Sequence, residues 1–274
     1  MSYDNYIGKT DSHSDVLTAS MVKRYRAVIG ADKSGDTAPN GIHWCTCLPN
    51  ASMVELGPDG HPAIGGFLPT NDLPRRMWAS SEIEFLSPIK IGAQIKRIST
   101  VASVKEKIGR SGKLLFVNVD HVKRADGKDA IHETQTIVYR AAPSVKSELP
   151  VAQDIDLSGW EVTESTTPST ALLFRYSALT FNTHRIHYDY PYTTELEGYP
   201  ALVVHGPLMA SLLLRFAGNI VGEKNIAKFG FRGLSPAYCN QALTLAANKV
   251  QDGLDLAIIG VDGKQVMSAQ VELR

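Results

Sequence analysis

The sequence predicts an α+β fold of two similar halves, each an antiparallel sheet wrapped around a central helix. Three observations predict it: long alternating segments follow a helical pattern, a short motif recurs in both halves, and one helix is apolar on nearly every side. The chain has 274 residues, of which 43% are hydrophobic and 20% charged, as in ordinary globular proteins. It is long enough for two modules of about 130 residues each.

The first predicted helix covers residues 14–30. Ser14 and Asp15 are its expected N-cap residues, and Gly30 is its expected C-terminal residue. The apolar side chains that share one face at helical spacing are Leu17, Met21, Val22, Tyr25, Val28 and Ile29. A loop with many prolines and glycines is expected to follow this helix.

From Ile83 onward the pattern changes to strands. Three long segments alternate between apolar and polar residues and are rich in β-branched side chains, at 92–108, 113–124 and 130–140. Asp126-Gly127 is a hairpin signal between the last two segments. The polar stretch 146–170 is rich in Ser, Thr and Pro, and we expect it to be a linker.

In the second half, a helix is expected to begin at Gly206 and Pro207. It is apolar on nearly all sides, which is typical of a helix buried inside a fold. The final strand places four apolar residues on one face: Met267, Ala269, Val271 and Leu273.

The two halves share a short motif. Residues 85–95 and 233–243 both contain Leu-Ser-Pro followed by a glutamine, Gln94 and Gln241, and Asp-Gly precedes the last strand of each half. We interpret this as an internal duplication. A buried helix followed by an antiparallel sheet long enough to wrap it describes a hotdog fold, so the chain is predicted to be a double hotdog. Its expected units are 1–145 and 171–274, joined by the linker.

Composition excludes several classes of function. Lys plus Arg and Asp plus Glu both number 28, so no net field attracts nucleic acid or an anionic membrane. The N-terminus lacks the apolar core of a signal peptide, and the longest apolar stretch falls short of the roughly 20 residues of a membrane span. The three cysteines, at 45, 47 and 239, match neither redox nor zinc-finger spacing. We therefore expect reduced thiols in a soluble cytoplasmic protein.

Residues 181–191, FNTHRIHYDYP, concentrate chemically active side chains. Three histidines, His184, His187 and His205, could bind zinc, but no carboxylate or thiolate accompanies them at a suitable spacing. The histidines could also be inert members of a packed loop. The third interpretation is acid–base catalysis, and the helix that begins at Gly206 favours it.

That helix supplies what the loop lacks. Its first amides have no partner within the helix and carry the positive end of the dipole, so they suit a developing thioester enolate. A glycine at this point lets a ligand approach the backbone closely. A histidine of the loop with a pKa near neutral could take a proton from water, and an asparagine could orient that water.

The region around FNTHRIHYDYP and VVHGPL resembles the motif of the MaoC-like (R)-specific hydratase 2 family of enoyl-thioester hydratases and dehydratases. The resemblance places His187 on the catalytic histidine of the family and Gly206 on its oxyanion-hole glycine. Asn182, His184 and Arg185 fall where the family has its catalytic aspartate, an asparagine and a proline. Because the aspartate is missing, the paired acid–base mechanism does not carry over unchanged.

The variant TFNTHRIHYD is similar to a subgroup containing mesaconyl-CoA and itaconyl-CoA hydratases and the mitochondrial type-2 3-hydroxyacyl-thioester dehydratase. Segments of the first half, at 43–44, 73–92, 111–121 and 137–140, resemble the N-terminal hotdog of that subgroup. The resemblance implies a homodimer that hydrates an unsaturated acyl-CoA. It implies no metal and no cofactor, since CoA is part of the substrate.

Further residues are candidates for substrate binding. Arg185 could bind a substrate carboxylate or a CoA phosphate, or it could face solvent. His184 and Tyr188 could support the loop or take part directly. Additional candidates for recognition of CoA are Arg76, Trp78 and Arg232.

For the acyl group we expect a short branched dicarboxylate, mesaconyl or itaconyl. A closed pocket lined by a basic residue would favour this substrate, and an open apolar tunnel would favour 3-hydroxyacyl-ACP dehydration in fatty-acid synthesis. An alternative of another class is a non-catalytic acyl-CoA-binding hotdog protein. The first half is expected to shape the pocket without contributing to catalysis.

Overall fold

The computed structural model describes residues 3–31, 35–109, 112–142 and 146–274. Within these residues, ten strands form a single antiparallel sheet. The strands are β1 (Thr10–Val16), β2 (Arg75–Phe85), β3 (Gln94–Gly109), β4 (Gly112–Ala125), β5 (Lys128–Arg140), β6 (Val162–Thr166), β7 (Ile226–Gly233), β8 (Leu243–Val250), β9 (Gly253–Gly260) and β10 (Gln265–Leu273). The α-helices are α1 (Ala19–Ile29), α2 (Thr170–Thr180) and α3 (Gly206–Val221).

The order of the strands repeats between the halves. The sheet runs β1-β3-β4-β5-β2-β7-β10-β9-β8-β6, so each half presents the same order outward from the central β2–β7 pair. The two Leu-Ser-Pro segments make equivalent hydrogen bonds. Leu86 N–H donates to Ala130 O and Leu234 N–H donates to Val266 O, both at 2.9 Å. The repeated motif therefore has one structural role, which supports an internal duplication.

The first helix starts later than predicted. Ser14 and Asp15 lie in β1, which pairs with β3 at the edge of the sheet. The helix begins after Thr18, whose side-chain oxygen accepts a hydrogen bond from Met21 N–H at 3.1 Å. Gly30 ends α1 in the left-handed conformation, as predicted.

The segment predicted as a linker contains a strand. Residues 162–166 form β6, which pairs with β8 and closes the other edge of the sheet. Upstream of β6, three partly buried side chains pack on the sheet: Ile155, Leu157 and Trp160. The polar Ser/Thr content conceals this strand, because only one of its faces meets protein.

The buried helix of the second half is confirmed. Nine of the residues of α3 are buried, and the helix packs on β2 and α1 of the first half and on β7–β10 of the second. Helices α1 and α2 are equivalent to each other, since each follows an edge strand and ends at a left-handed residue. Among the described residues, the first half has no long counterpart of α3; a short 3₁₀ turn at Ile42–Cys45 follows α1. A long central helix is therefore described in the second half and not in the first.

None of the described helices combines the length and the apolar composition that a bilayer span requires. The three cysteines are buried and unpaired, as expected.

Candidate active site

The end of α2 sets the course of the loop 181–191. Phe181 adopts a left-handed conformation with φ of 47° and turns the chain away from the helix. The Asn182 side-chain oxygen then accepts a hydrogen bond from His184 N–H at 2.9 Å. A 3₁₀ turn follows at Arg185–His187. This local hydrogen bonding directs the rings of His184 and His187 into the protein, where both are buried.

His187 is held in a single tautomer. Its Nδ1 lies 2.7 Å from the carbonyl oxygen of Val203, and a carbonyl only accepts, so Nδ1 carries the proton. The lone pair of the neutral ring is therefore on Nε2. Burial lowers the pKa of His187 to about 4, although the hydrogen bond to Val203 opposes this shift. The near-neutral pKa expected from the sequence is wrong for this structure because the ring is desolvated.

The N-terminus of α3 lies beside the His187 ring. The first bond of the helix runs from Met209 N–H to His205 O at 3.1 Å, so the Gly206 amide has no acceptor within the helix. The His187 and His205 rings stack with centroids 3.6 Å apart, which places His187 next to the residue that precedes Gly206. A side chain at position 206 would make only an ordinary 3.7 Å contact with Trp78 O. Packing within the protein therefore does not by itself require a glycine there.

Four imidazole rings lie one after another across the site, and we call them the histidine row: His61, His184, His187 and His205. Successive ring centroids are 4.1, 5.3 and 3.6 Å apart. The row ends at Ser177, whose hydroxyl lies 2.8 Å from His205 Nε2. At the other end, His61 comes from the first half of the chain, and sequence reasoning missed it.

His61 belongs to a turn, PDGHP at 58–62, that docks on the loop 181–191. Arg185 N–H donates to Asp59 O at 2.9 Å, and the Thr183 hydroxyl donates to Gly60 O. Gly60 has φ of +87°, and a Cβ there would overlap the Thr183 carbonyl oxygen. The available sequence signal was an Asp-Gly turn carrying a histidine between two prolines.

The row is electrically neutral at pH 7 but lies beside a cation and a carboxylate. Burial and then the Arg76 guanidinium lower the pKa of His61 to about 4. Burial likewise places the pKa values of His184 and His205 well below the usual range for histidine. Asp59 Oδ2 accepts a hydrogen bond from His61 Nδ1 at 2.9 Å. Burial would raise the pKa of Asp59, but this bond and the nearby charges lower it, so Asp59 is ionised.

Arg185 has internal partners. Its Nε and Nη2 donate to Asp189 Oδ2 at 2.9 and 2.8 Å, and its Nη1 donates to Pro58 O at 3.0 Å. The guanidinium also lies 4.0 Å from the centre of the Tyr192 ring. In this structure Arg185 links the residues of the loop 181–191 to one another and to Pro58, so its guanidinium is not free to bind a carboxylate or phosphate.

The other predicted binding residues are divided between two places. Arg76 faces the histidine row. The carbonyl of Trp78 borders Gly206, and the indole of Trp78 donates a hydrogen bond to Ser81 Oγ at 2.9 Å. Tyr188 is exposed, and its hydroxyl donates to Thr183 O at 3.2 Å, which braces the loop. Arg232 is exposed on the opposite face of β7 from Phe229 and Phe231, so the structure does not bring it to the site.

Two cavities differ in size and position. A cavity of about 20 Å³ borders His184 and is lined by Arg75 and Arg76. Arg75 is paired with Glu197 at 2.8 Å, which leaves Arg76 as the cation beside the row. A groove of about 1300 Å³ lies on the outer face of the sheet and includes Arg232, but it includes no member of the row. The large groove is therefore separate from the chemistry described above.

The described residues offer limited support for a metal site. The rings of His187 and His205 stack at 20°, so their nitrogens do not converge with His184 on one point. Asp59, His61 and His184 place one potential ligand atom each within 4.8 Å of one another. Asp59 and His61 are already hydrogen-bonded to each other, and Arg76 adds positive charge beside them. This arrangement suits proton chemistry better than a cation.

Comparison with known proteins identifies the family. The sequence profile of hydroxyacyl-thioester dehydratase type 2 matches residues 41–239. The chain belongs to this family. It is 38% identical over 272 residues to mesaconyl-C(4)-CoA hydratase of Chloroflexus aurantiacus, covering 98% of this chain and 96% of the relative. The predicted family resemblance is thereby confirmed.

Solved structures of similar fold agree with the predicted architecture. A MaoC-like dehydratase from Phytophthora capsici has a TM-score of 0.76 at 12% identity, covering 100% of this chain and 98% of that one. A Mycobacterium tuberculosis protein described as a double hotdog has a TM-score of 0.56 at 14% identity, covering 97% and 96%. The fold of this type-2 family member is the predicted double hotdog.

Proposed function

We propose that this protein reversibly hydrates an α,β-unsaturated acyl-CoA and that His187 is its general base. Family membership makes the chain an enzyme of the hydratase/dehydratase class, a lyase. The observation that carries the assignment of the base is the geometry of His187. Its Nδ1 proton is held by Val203 O, its Nε2 is free to accept, and its ring stacks on the residue before Gly206.

The proposed reaction adds one molecule of water. His187 Nε2 accepts a proton from a water molecule that the Asn182 amide orients, and the water oxygen bonds to the β-carbon. The π electrons of the double bond move towards the α-carbon and the thioester oxygen, where Gly206 N–H stabilises the enolate. The proton on His187 then passes to the α-carbon. No metal or redox cofactor takes part in this sequence, and CoA enters as part of the substrate.

For the acyl group we propose a short dicarboxylate, mesaconyl or itaconyl. The guanidinium of Arg76 lies beside His184, and a fixed cation there suits the free carboxylate of a dicarboxylyl group better than a long apolar chain. The 38% identity to a mesaconyl-C(4)-CoA hydratase supports the same choice. We further propose that the first half shapes the pocket. We also propose that the enzyme is cytoplasmic and a homodimer, and light scattering would test the oligomeric state.

The test is a spectrophotometric hydration assay that follows loss of enoyl-thioester absorbance. Mesaconyl-CoA, itaconyl-CoA and crotonyl-CoA are offered to the wild type and to His187→Ala. We expect turnover that prefers a dicarboxylyl-CoA and that disappears in the variant. Binding without turnover by the wild type would instead favour a non-catalytic acyl-CoA-binding protein.

The second candidate is dehydration of 3-hydroxyacyl-ACP. The family description itself, hydroxyacyl-thioester dehydratase, favours it. A 3-hydroxyacyl carrier substrate that turns over faster than either dicarboxylyl-CoA would select this candidate.

A further inference from the structure

We propose that Asp59, acting through His61, is the counter-ion of the catalytic histidine row and stabilises the protonated state that His187 reaches during turnover. The inference rests on the proposed hydration, in which His187 holds a proton between two steps. Asp59 and His61 are positioning residues in this scheme, since they act through His184 on the base. They come from the half of the chain in which the sequence predicts no catalytic role.

The need for a counter-ion follows from the charges in the site. When His187 takes a proton from water, a buried region that already faces Arg76 gains a further positive charge. A buried charge without a partner is costly, so the protonated base requires a carboxylate nearby. The loop 181–191 places an amide, Asn182, at the point where the resemblance leads one to expect an aspartate. Its one carboxylate, Asp189, is engaged by Arg185.

Asp59 is placed to supply that charge. Among the residues that the structure describes, it is the carboxylate that hydrogen-bonds a ring of the row, at 2.9 Å from His61 Nδ1. The ring of His61 lies 4.1 Å from that of His184, which in turn contacts His187. The same turn is fixed to the catalytic loop through Arg185 N–H and Thr183, so the carboxylate and the base are held in one rigid unit.

Other charged and titratable groups around the row do not replace Asp59. The groups that face it from neighbouring elements are Arg76 of β2, Tyr139 of β5 beside Arg76, Tyr176 of α2 against His205, the Arg75–Glu197 pair that lines the cavity beside His184, and the Arg185–Asp189 pair of the loop. The two carboxylates in this set, Glu197 and Asp189, each form an ion pair with an arginine, at 2.8 Å in both cases. Asp59 is therefore the available negative charge.

The test compares Asp59→Asn with the wild type in initial rates measured within seconds of mixing at each pH. Asparagine can still accept from His61, so the hydrogen bond remains and only the charge is lost. Without the carboxylate the row binds a proton less tightly, and a loss of one pKa unit corresponds to a tenfold weaker base. We expect kcat at pH 7 to fall about tenfold with little change in KM, and the acidic limb of kcat/KM to move to lower pH.

A rescue variant separates charge from structure. Asn182→Asp places a carboxylate on the catalytic loop itself and keeps the acceptor for His184 N–H. In the Asp59→Asn background it should restore kcat and return the acidic limb towards the wild-type position. A purely structural role of Asp59 predicts no rescue and no movement of the limb.

The chain contains a matched control. Asp11 and His13 form another aspartate–histidine pair two residues apart, at 2.8 Å, on the edge strand β1. Asp11→Asn removes the same kind of charge away from the site, and we expect both kcat and the pH profile to stay unchanged.

The outcomes distinguish this inference from the proposed function. Wild-type turnover with an unmoved acidic limb in Asp59→Asn overturns the inference alone. If the wild type turns over no thioester, the proposed function fails. NMR titration of the histidines then tests the counter-ion inference separately: the inference requires lower pKa values of the row histidines in Asp59→Asn than in the wild type, and unchanged values overturn it. If the purified wild type contains stoichiometric zinc and Asp59→Asn loses it, Asp59 is a metal ligand, and the counter-ion inference is overturned.

Discussion

At the scale of single residues, His187 shows how burial changes the chemistry of a side chain. An exposed histidine is half protonated near pH 6.5, but the desolvated ring of His187 has a pKa of about 4 and is neutral at all physiological pH values. The neutral ring, with its proton on Nδ1, is the form that can accept a proton from water on Nε2. Burial therefore keeps His187 in the form that the proposed mechanism requires, while it limits the basicity of the ring.

The pH profile should reveal this shift. The unprotonated ring is the active form, so kcat/KM should be constant from pH 7 down to about pH 5 and fall as pH passes through about 4. Steady-state rates with the preferred acyl-CoA between pH 4 and 8 test this. A limb centred near 6.5 would show that the base is a solvated histidine and not His187 as placed here.

At the scale of elements, the docking of the PDGHP turn on the loop 181–191 decides the geometry of the site. The turn and the loop come from different halves, yet they share three hydrogen bonds and a close approach at Gly60. Local sequence preferences cannot produce this contact, since it forms only when both halves share one sheet.

Gly60→Ala should separate the turn from the loop. The added methyl group would overlap the Thr183 carbonyl oxygen, and φ of +87° is unfavourable for alanine, so we expect a loss of at least about 1–3 kcal/mol in the free energy of unfolding. Turnover should fall as well, because His61 and Asp59 move with the turn. Urea denaturation and the hydration assay measure the two effects.

The control for this variant lies in the same region. Gly66→Ala adds a methyl group with no atom within 4 Å and without a positive φ, so both stability and turnover should stay close to wild type. Equal losses in the two variants would mean that the docking contact has no special importance.

At the scale of the whole molecule, a folded state that buries several neutral histidines is sensitive to acid. His61, His121 and His187 each have a folded-state pKa of about 4, against about 6.5 in an unfolded chain. Between these values the unfolded state binds more protons than the folded state, so stability rises with pH in this window. Their contribution is fully present above about pH 6.5 and is lost as pH falls towards 4.

As pH falls from 7 to 5, the shifted pKa of each of these histidines should lower the free energy of unfolding by about 2 kcal/mol. We therefore expect the free energy of unfolding to fall steeply over this range, as measured by urea titration at each pH. His121→Gln, in a ring outside the active site, should reduce the slope by about one proton. A stability that is constant from pH 7 to pH 5 would contradict the neutral, buried state of these rings.

The sequence by itself determined the features that depend on local pattern. The side chains of α3 are apolar on nearly all sides, so the helix must be buried, and a glycine and a proline mark its N-terminus. Alternation identified β3, β4 and β5, because side chains on a strand point to opposite faces in turn. The composition of the loop 181–191 singled out His187, and its resemblance to the hydratase 2 motif indicated the reaction class.

Only the tertiary structure decided what depends on contacts between distant segments. It brought Asp59 and His61 to His184, gave Arg185 an internal partner, and moved Arg232 to the other face of the sheet. It also placed β6 within a segment whose polar composition predicts a linker. The physical reason is the same in each case. Burial, electrostatic environment and strand pairing arise from neighbours in space, and sequence spacing does not specify those neighbours across two halves joined in one sheet.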